Sequence, residues 1–427
     1  MQSTIVQSYK GDQSLVDFKR HWKHTYKYFA KEFGYTCKRN TDIEDSWQES
    51  IEDNITIERT ESIQSSKSSS SRSTSSLKYQ RKLGTNDVRN LSRSVEDILY
   101  NVSKSFTYEH PSHSYIVDLS DGTWEDHMEQ EDFEEISSCY DNALNKPLPD
   151  YLKEILCKLD KKCCSSDIYD EFSTIAAHPV KDPEVFWLKQ AVIDFVLLFM
   201  DQNDATLKMP STEQDLLEDI FGFIKKSKRL TGTTCVTGNE SRASSEHRNS
   251  TRMIGSICQE ERKTSGEHAD LCFYYGSNEL ACLELGLADS GSHGTKELNE
   301  AGIKVPIMMK NFALQISRQY GINMSGIKIV GFMISGLNLT ALLMTFEGST
   351  SLITRSKRLR LPETVADIPR LLPLVLKLVF NAAQIVKGTM NTIKEASTSV
   401  CLDNDNDLPF FPPCYVSSSK RKTPEDD

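Results

Sequence analysis

Apolar positions are spread unevenly along the 427 residues, and their spacing divides the chain into three parts. Across residues 151–395 they recur with helix or strand period, and outside that span they thin out. The clearest pair lies between His268 and Gly286. Ala269-Asp270-Leu271-Cys272-Phe273-Tyr274-Tyr275 is a short apolar run that predicts a strand. Glu279 to Leu287 predicts its partner, after a turn at Gly276-Ser277-Asn278. Val305 to Arg318 has helical spacing, and Ile327 to Ile334 reads as a third strand. Two more follow at Leu339–Thr345 and Thr350–Thr354, around a turn at Gly348, before a long apolar helix from Asp367 to Lys387. Upstream, Asp182-Pro183-Glu184 opens a broadly apolar helix. Ser211-Thr212-Glu213-Gln214 is a capping-box pattern opening another, which ends in Lys225, Lys226, Lys228 and Arg229. The pattern predicts an α/β domain over 151–395, with a mixed central sheet flanked by helices.

Residues 1–150 have a different character and are expected to be mostly disordered. Leu15, Phe18, Trp22, Tyr26, Phe29 and Phe33 mark one amphipathic helix over 15–33, with lysines between them. Such a helix docks on its own domain, or binds nucleic acid or a partner groove. Ser65 to Ser76 is a serine tract too polar to bury a core. Asp118 to Glu135 carries nine carboxylates and no Lys or Arg, interleaved with Trp124, Met128 and Phe133. It reads as a solvated acidic segment or an acidic-hydrophobic interaction segment. Gly238 to Asn249 reads as a loop, and 396–427 as a disordered tail.

Composition narrows the function. A net charge of -11 argues against a generic nucleic-acid coat or a binder of anionic membranes, although a local basic groove remains compatible. Mean hydropathy is -0.45, low for a chain ordered throughout. The 11 cysteines show no CxxC pair, which fits reduced thiols in an intracellular protein of nucleus or cytoplasm. The first residues lack the pattern of a secretory signal. The most apolar stretch, Leu371 to Val386, contains Lys377, Asn381 and Gln384, so a packed helix is expected and no membrane partner.

Candidate chemistry rests on Asp270 and Glu284, one carboxylate on each strand of the first pair. Neighbouring strands hold such groups rigidly, roughly 5 Å apart. Hard cations such as Mg²⁺ or Mn²⁺ take oxygen ligands, and a bound cation activates water for phosphodiester hydrolysis. The order helix, strand with Asp270, strand with Glu284, helix, strand resembles the PD-(D/E)XK nuclease fold. The resemblance implies a restriction-endonuclease-like domain with Asp270 and Glu284 as metal carboxylates, assisted by a helical glutamate, Glu213 or Glu218. In that family a lysine follows two residues after the glutamate, on the same strand face; here that position is Gly286. Lys296 or Lys304, ahead of the next helix, is the candidate replacement. Residues 180–390 also resemble an uncharacterised multicopy family of fungal proteins. The resemblance is carried by Lys296-Glu297-Leu298, Ile329-Val330-Gly331-Phe332, Ile334-Ser335-Gly336 and Thr354-Arg355-Ser356-Lys357. It implies domain limits and no mechanism.

Arg355, Lys357 and Arg358 cluster after the last strand, where they could track a phosphate backbone. No GxxxxGK[ST] loop, HExxH pair or GxSxG elbow occurs. The leading expectation is a nuclease-like domain that has lost catalysis and binds nucleic acid or protein. The alternatives are an active Mg²⁺- or Mn²⁺-dependent nuclease with a displaced lysine, and a protein-interaction module.

Overall fold

The computed structural model describes residues 95–415, apart from 129, 140, 201–205, 251, 253–261, 290–293, 295–298 and 399–410. The expected helix at 15–33, the serine tract and Lys296 lie outside the described residues. Within them a mixed eight-stranded sheet runs in the order β1-β7-β6-β5-β4-β3-β2, with β8 also paired to β6. The strands are β1 Ile116–Asp118, β2 Thr234–Glu240, β3 His268–Tyr275, β4 Asn278–Gly286, β5 Ile329–Ser335, β6 Asn338–Glu347, β7 Thr350–Arg355 and β8 Leu359–Arg360. β4 to β5 and β1 to β7 are parallel, and every other pairing is antiparallel. The expected class, a mixed sheet flanked by helices, is therefore present.

Five helices matter here: α1 Val95–Ser105, α2 Pro183–Met200, α3 Arg242–Arg248, α4 Val305–Tyr320 and α5 Ile368–Thr398. The β3–β4 hairpin turns at Gly276-Ser277, where Gly276 has φ +61, a conformation that side chains with a Cβ rarely adopt. β4 is buried at every position except Gly286. The apolar run Leu280-Ala281-Cys282-Leu283, continued by Leu285, is what a strand covered on both faces requires. α4 then crosses over to bring β5 in parallel beside β4.

The crossover needs a glycine at one place. A Cβ on Gly331, in the middle of β5, would stand 2.6 Å from Val305 Cγ1 and 2.8 Å from Met309 Sδ. The absence of a side chain there lets α4 lie close to the sheet. Gly331→Val is expected to cost about 1–3 kcal/mol by overpacking, read as a lower urea midpoint. An unchanged midpoint would mean that α4 moves aside freely.

α2 and α5 form a second helical layer. Trp187 packs near Phe380, and its indole N–H donates to the Phe223 carbonyl at 2.9 Å. By length and composition the Val365–Ala396 stretch could cross a membrane, but 56% of its apolar window is buried inside the protein. The capped segment after Ser211 is not one helix. It breaks into Glu213–Asp215, a π-helical turn Leu216–Ile220, Gly222–Lys226 and Lys228–Thr231.

Described residues from 95 to 149 join the fold. β1 lies along β7 at one margin of the sheet. Trp124, Met128 and Ile136 from the acidic stretch are buried with Ile98, Leu99, Val102, Val117 and Leu352 in a second core cluster. Spaced apolar side chains suffice to seat a segment whose Asp126, Glu134 and Glu135 stay in water. Farther along, Asn381 on α5 donates to the Leu144 and Lys146 carbonyls at 3.0 and 2.8 Å. The span read as a loop, Gly238–Asn249, supplies the end of β2 and all of α3. The tail is not wholly featureless either, because Phe411 and Cys414 are buried.

Candidate carboxylate–lysine site

The last register pair between β3 and β4 toward their open end is Leu271 with Leu283. One step further sets Asp270 directly opposite Glu284, where cross-strand Cβ atoms stand about 4.5–5.5 Å apart. Cys282 pairs with Gly331, the residue against which α4 packs. Side chains alternate with period two, so Glu284 shares that face. The turn leading into α4 meets it there, and Lys304 Nζ donates to Glu284 Oε2 at 2.8 Å. Asp270 is fixed by its Oδ2, which accepts from the Leu285 N–H at 2.7 Å.

Lys304 closes a π-helical turn, Glu300–Lys304, immediately ahead of α4. Single π turns are recurrent at functional sites. This one is also pinned from β7, on the same face of the sheet. Arg355 on β7 donates from Nη2 to the Ala301 carbonyl at 2.9 Å, and from Nε to Asp118 Oδ2 at 2.6 Å.

Glu284 is 2% exposed. Burial pushes its pKa up to about 8, with the charges of Asp270 and Glu300 acting in the same direction and Lys304 opposing them. Burial disfavours the charge on Lys304, yet the bond to Glu284 and the surrounding carboxylates hold its pKa above the ordinary lysine value. The pair therefore holds protons more tightly than either group would in water. Glu284 Oε1 is buried and has no hydrogen-bond partner among the described residues. An orphaned carboxylate oxygen in that setting is costly unless a proton or a cation meets it.

A divalent cation fits this donor set in part. Asp270 and Glu284 offer the oxygen ligands that Mg²⁺ or Mn²⁺ prefer, and Oε1 is an acceptor still to be satisfied. Among the described residues, no group of three or more His, Cys, Asp or Glu is arranged to hold a metal ion. Two carboxylates are nonetheless a usual protein share for Mg²⁺, which keeps waters and takes substrate phosphate oxygens for the rest.

The other expected site residues divide. Glu218 is bonded to Lys225, and Glu213 lies in the first turn of its short helix, capped by Thr212. A helical carboxylate whose charge bears on Glu284 is Glu300. Reading the sequence missed it, although its i, i+4 spacing to Lys304 was a usable sign. Arg355 is engaged by Asp118 and Ala301, and Arg358 by Asp289 at 2.5 Å. Lys357 is exposed and has no ion-pair partner among the described residues. The strip that carries these cations leads into β8, which pairs with the start of β6. That is three strand spacings from β4, roughly 14–15 Å. At Gly286 a Cβ would meet nothing closer than the Ile334 carbonyl at 3.6 Å. Steric exclusion therefore does not explain why the position lacks a side chain.

In comparisons with known proteins, no family model matches the chain, and no curated protein or solved structure matches it.

Proposed function

We propose that the chain is a metal-dependent phosphodiesterase of PD-(D/E)XK type, in which Lys304 on the crossover helix stands in for a strand lysine. One observation carries the reading. Lys304 Nζ lies 2.8 Å from Glu284 Oε2, and Asp270 sits across from the same glutamate. The succession β2–β3–β4–α4–β5, a meander followed by a parallel crossover, is the order that such a core uses, and it supports the restriction-endonuclease-like assignment. A bound Mg²⁺ or Mn²⁺ would lower the pKa of a water and neutralise charge gathering on the phosphate. Asp270 and Glu284 would hold that ion. Lys304, oriented by its bond to Glu284, would place its ammonium against the attacking water or the phosphate oxygens. Lys357, and Arg358 where the phosphate backbone competes with Asp289, would track the substrate strand.

A second reading, binding without catalysis, draws on a different observation. Glu284 is almost fully buried, and one of its oxygens is already taken by Lys304.

The test uses the full-length chain on supercoiled, linear and single-stranded DNA and on RNA, each with Mg²⁺, Mn²⁺ or chelator. Cleavage that needs the metal and vanishes in Asp270→Ala is the expected result. Retention of the nucleic acid without cleavage in either metal would establish the binding reading.

A further inference from the structure

On the α4 layer, at the end of the sheet away from Glu284, the C-terminal segment Phe411–Tyr415 lies in a groove. Its floor is α4, and its walls are the Pro111–Ser114 turn, α3 and the last part of β6. Phe411 sets its ring against Phe346 with centroids 5.5 Å apart. His247 Nε2 donates to the Cys414 carbonyl at 2.8 Å, and the Tyr415 N–H donates to Ser114 Oγ at 2.9 Å. The Cys414 thiol points at the Ile307 carbonyl, 3.7 Å away. The segment forms no helix or strand. Pro412 and Pro413 bring no backbone donors, so the stretch is an extended ligand with its side chains as anchors.

Beneath it is a cation. Lys310 is fully buried and donates to the Ser114 carbonyl, and its Nζ lies 5.0 Å from the centroid of the Phe411 ring. The charged and titratable groups beside the segment are Lys310 and Arg318 from α4, His247 from α3 and His113 from the turn, while Arg248 lies near His247 and is ion-paired to Glu267. Among the described residues, no carboxylate acts on Lys310 or His247 there. Covering a cation without a carboxylate partner makes docking weaker than the apolar contacts alone would allow.

We propose that this groove is a docking site for an extended aromatic-Pro-Pro-Cys peptide, occupied by the chain's own residues 411–415, and that the segment leaves it as a unit while the rest of the domain stays folded. The groups beneath it give the exchange a direction. Burial lowers the pKa of His247, and the nearby Arg318, Lys310 and Arg248 act in the same sense. Burial takes Lys310 down to about 8. Both groups bind protons better once the segment has left, so acid favours release. His247 acts as the pH falls below about 6.5. Lys310 acts between the ordinary lysine range and about 8.

Thiol labelling of the full-length protein reads the exchange directly. Native protein is treated with iodoacetamide, and each cysteine is quantified by peptide mass spectrometry. Exposed Cys157 and buried Cys282 serve as the fast and slow references. At pH 8, Cys414 is expected to react at least about tenfold more slowly than Cys157 yet clearly faster than Cys282. The Cys414 to Cys157 ratio should rise about threefold or more by pH 5.5, and His247→Gln should flatten that rise. Phe411→Ala should raise the ratio at every pH, whereas Lys310→Met should lower it. An excess of the synthetic peptide spanning residues 409–417, with serine for the cysteine, should also raise it by taking the vacated groove. Two results overturn the proposal: Cys414 tracking Cys282 at every pH and with peptide, or matching Cys157 regardless of Phe411→Ala.

Discussion

Lys304→Met is expected to lower metal-dependent cleavage by about 10²–10⁴-fold, the range spanned by removal of a positioned acid–base or charge-stabilising group. Methionine keeps the length and the apolar stem, so the π-helical turn retains its packing, and what is lost is the ammonium 2.8 Å from Glu284. The protein should still fold at neutral pH, because Glu284 can keep its proton once its partner is gone. On the proposed mechanism the loss belongs in kcat with KM little changed, since the lysine would act on the reacting atoms and not on the length of the strand. Gly286 supplies a stricter check. It follows Glu284 by two on the same face and has room for a Cβ. Gly286→Lys in the Lys304→Met background should therefore recover part of the rate. Full activity in Lys304→Met would remove the lysine from the mechanism. Loss without any recovery would make its contribution one of position on α4 and not of charge alone.

Stability of the metal-free protein should fall by roughly 2–3 kcal/mol between pH 6 and pH 8. Glu284 is responsible. Its pKa in the folded protein is about 8, against 4.5 when unfolded. Between those values the native state binds more protons than the unfolded chain, so raising the pH favours unfolding. Lys304 does not offset this, because its raised pKa contributes stability below the ordinary lysine value and loses it only above. Urea midpoints across the window measure the slope, and Glu284→Gln should flatten it. Mn²⁺ at pH 8 should restore much of the loss by binding the ionised carboxylate in the native state. A wild-type slope that persists in Glu284→Gln would place its origin elsewhere, and no rescue by Mn²⁺ or Mg²⁺ would favour the binding reading.

The sequence announced the centre of the fold because the centre is buried on both faces. β4, β5 and β6 are runs of apolar residues between glycine turns, and such runs leave little choice of structure. Asp270 stood out as the lone carboxylate of β3, and Glu284 as the carboxylate inside the apolar part of β4, whose other one, Glu279, lies at the strand's start. The margins were silent. β2 is an edge strand with Thr234, Asn239 and Glu240 exposed and only Cys235 and Thr237 half-buried, so it has no apolar run to detect. β1 is only three residues long and opens the acidic stretch. Lys304 could be named from its place ahead of α4, but choosing it required the register of β4 against β5, which no local pattern encodes. Arg355 was read as a cation for phosphate, and its engagement with Asp118 is a contact between residues 237 apart in sequence.

That pairing ties residues 116–118 to the candidate site. β1 is short, yet it occupies the outer side of β7, whose backbone groups would otherwise be free to template another strand. A chain cut at residue 150 would lose β1 and Asp118 together. β7 would then be a bare border inviting self-association. Arg355 would keep its hold on Ala301 without the carboxylate that braces it. A small domain isolated on that boundary would aggregate along one rim, and would carry its lysine on a turn with a single tether.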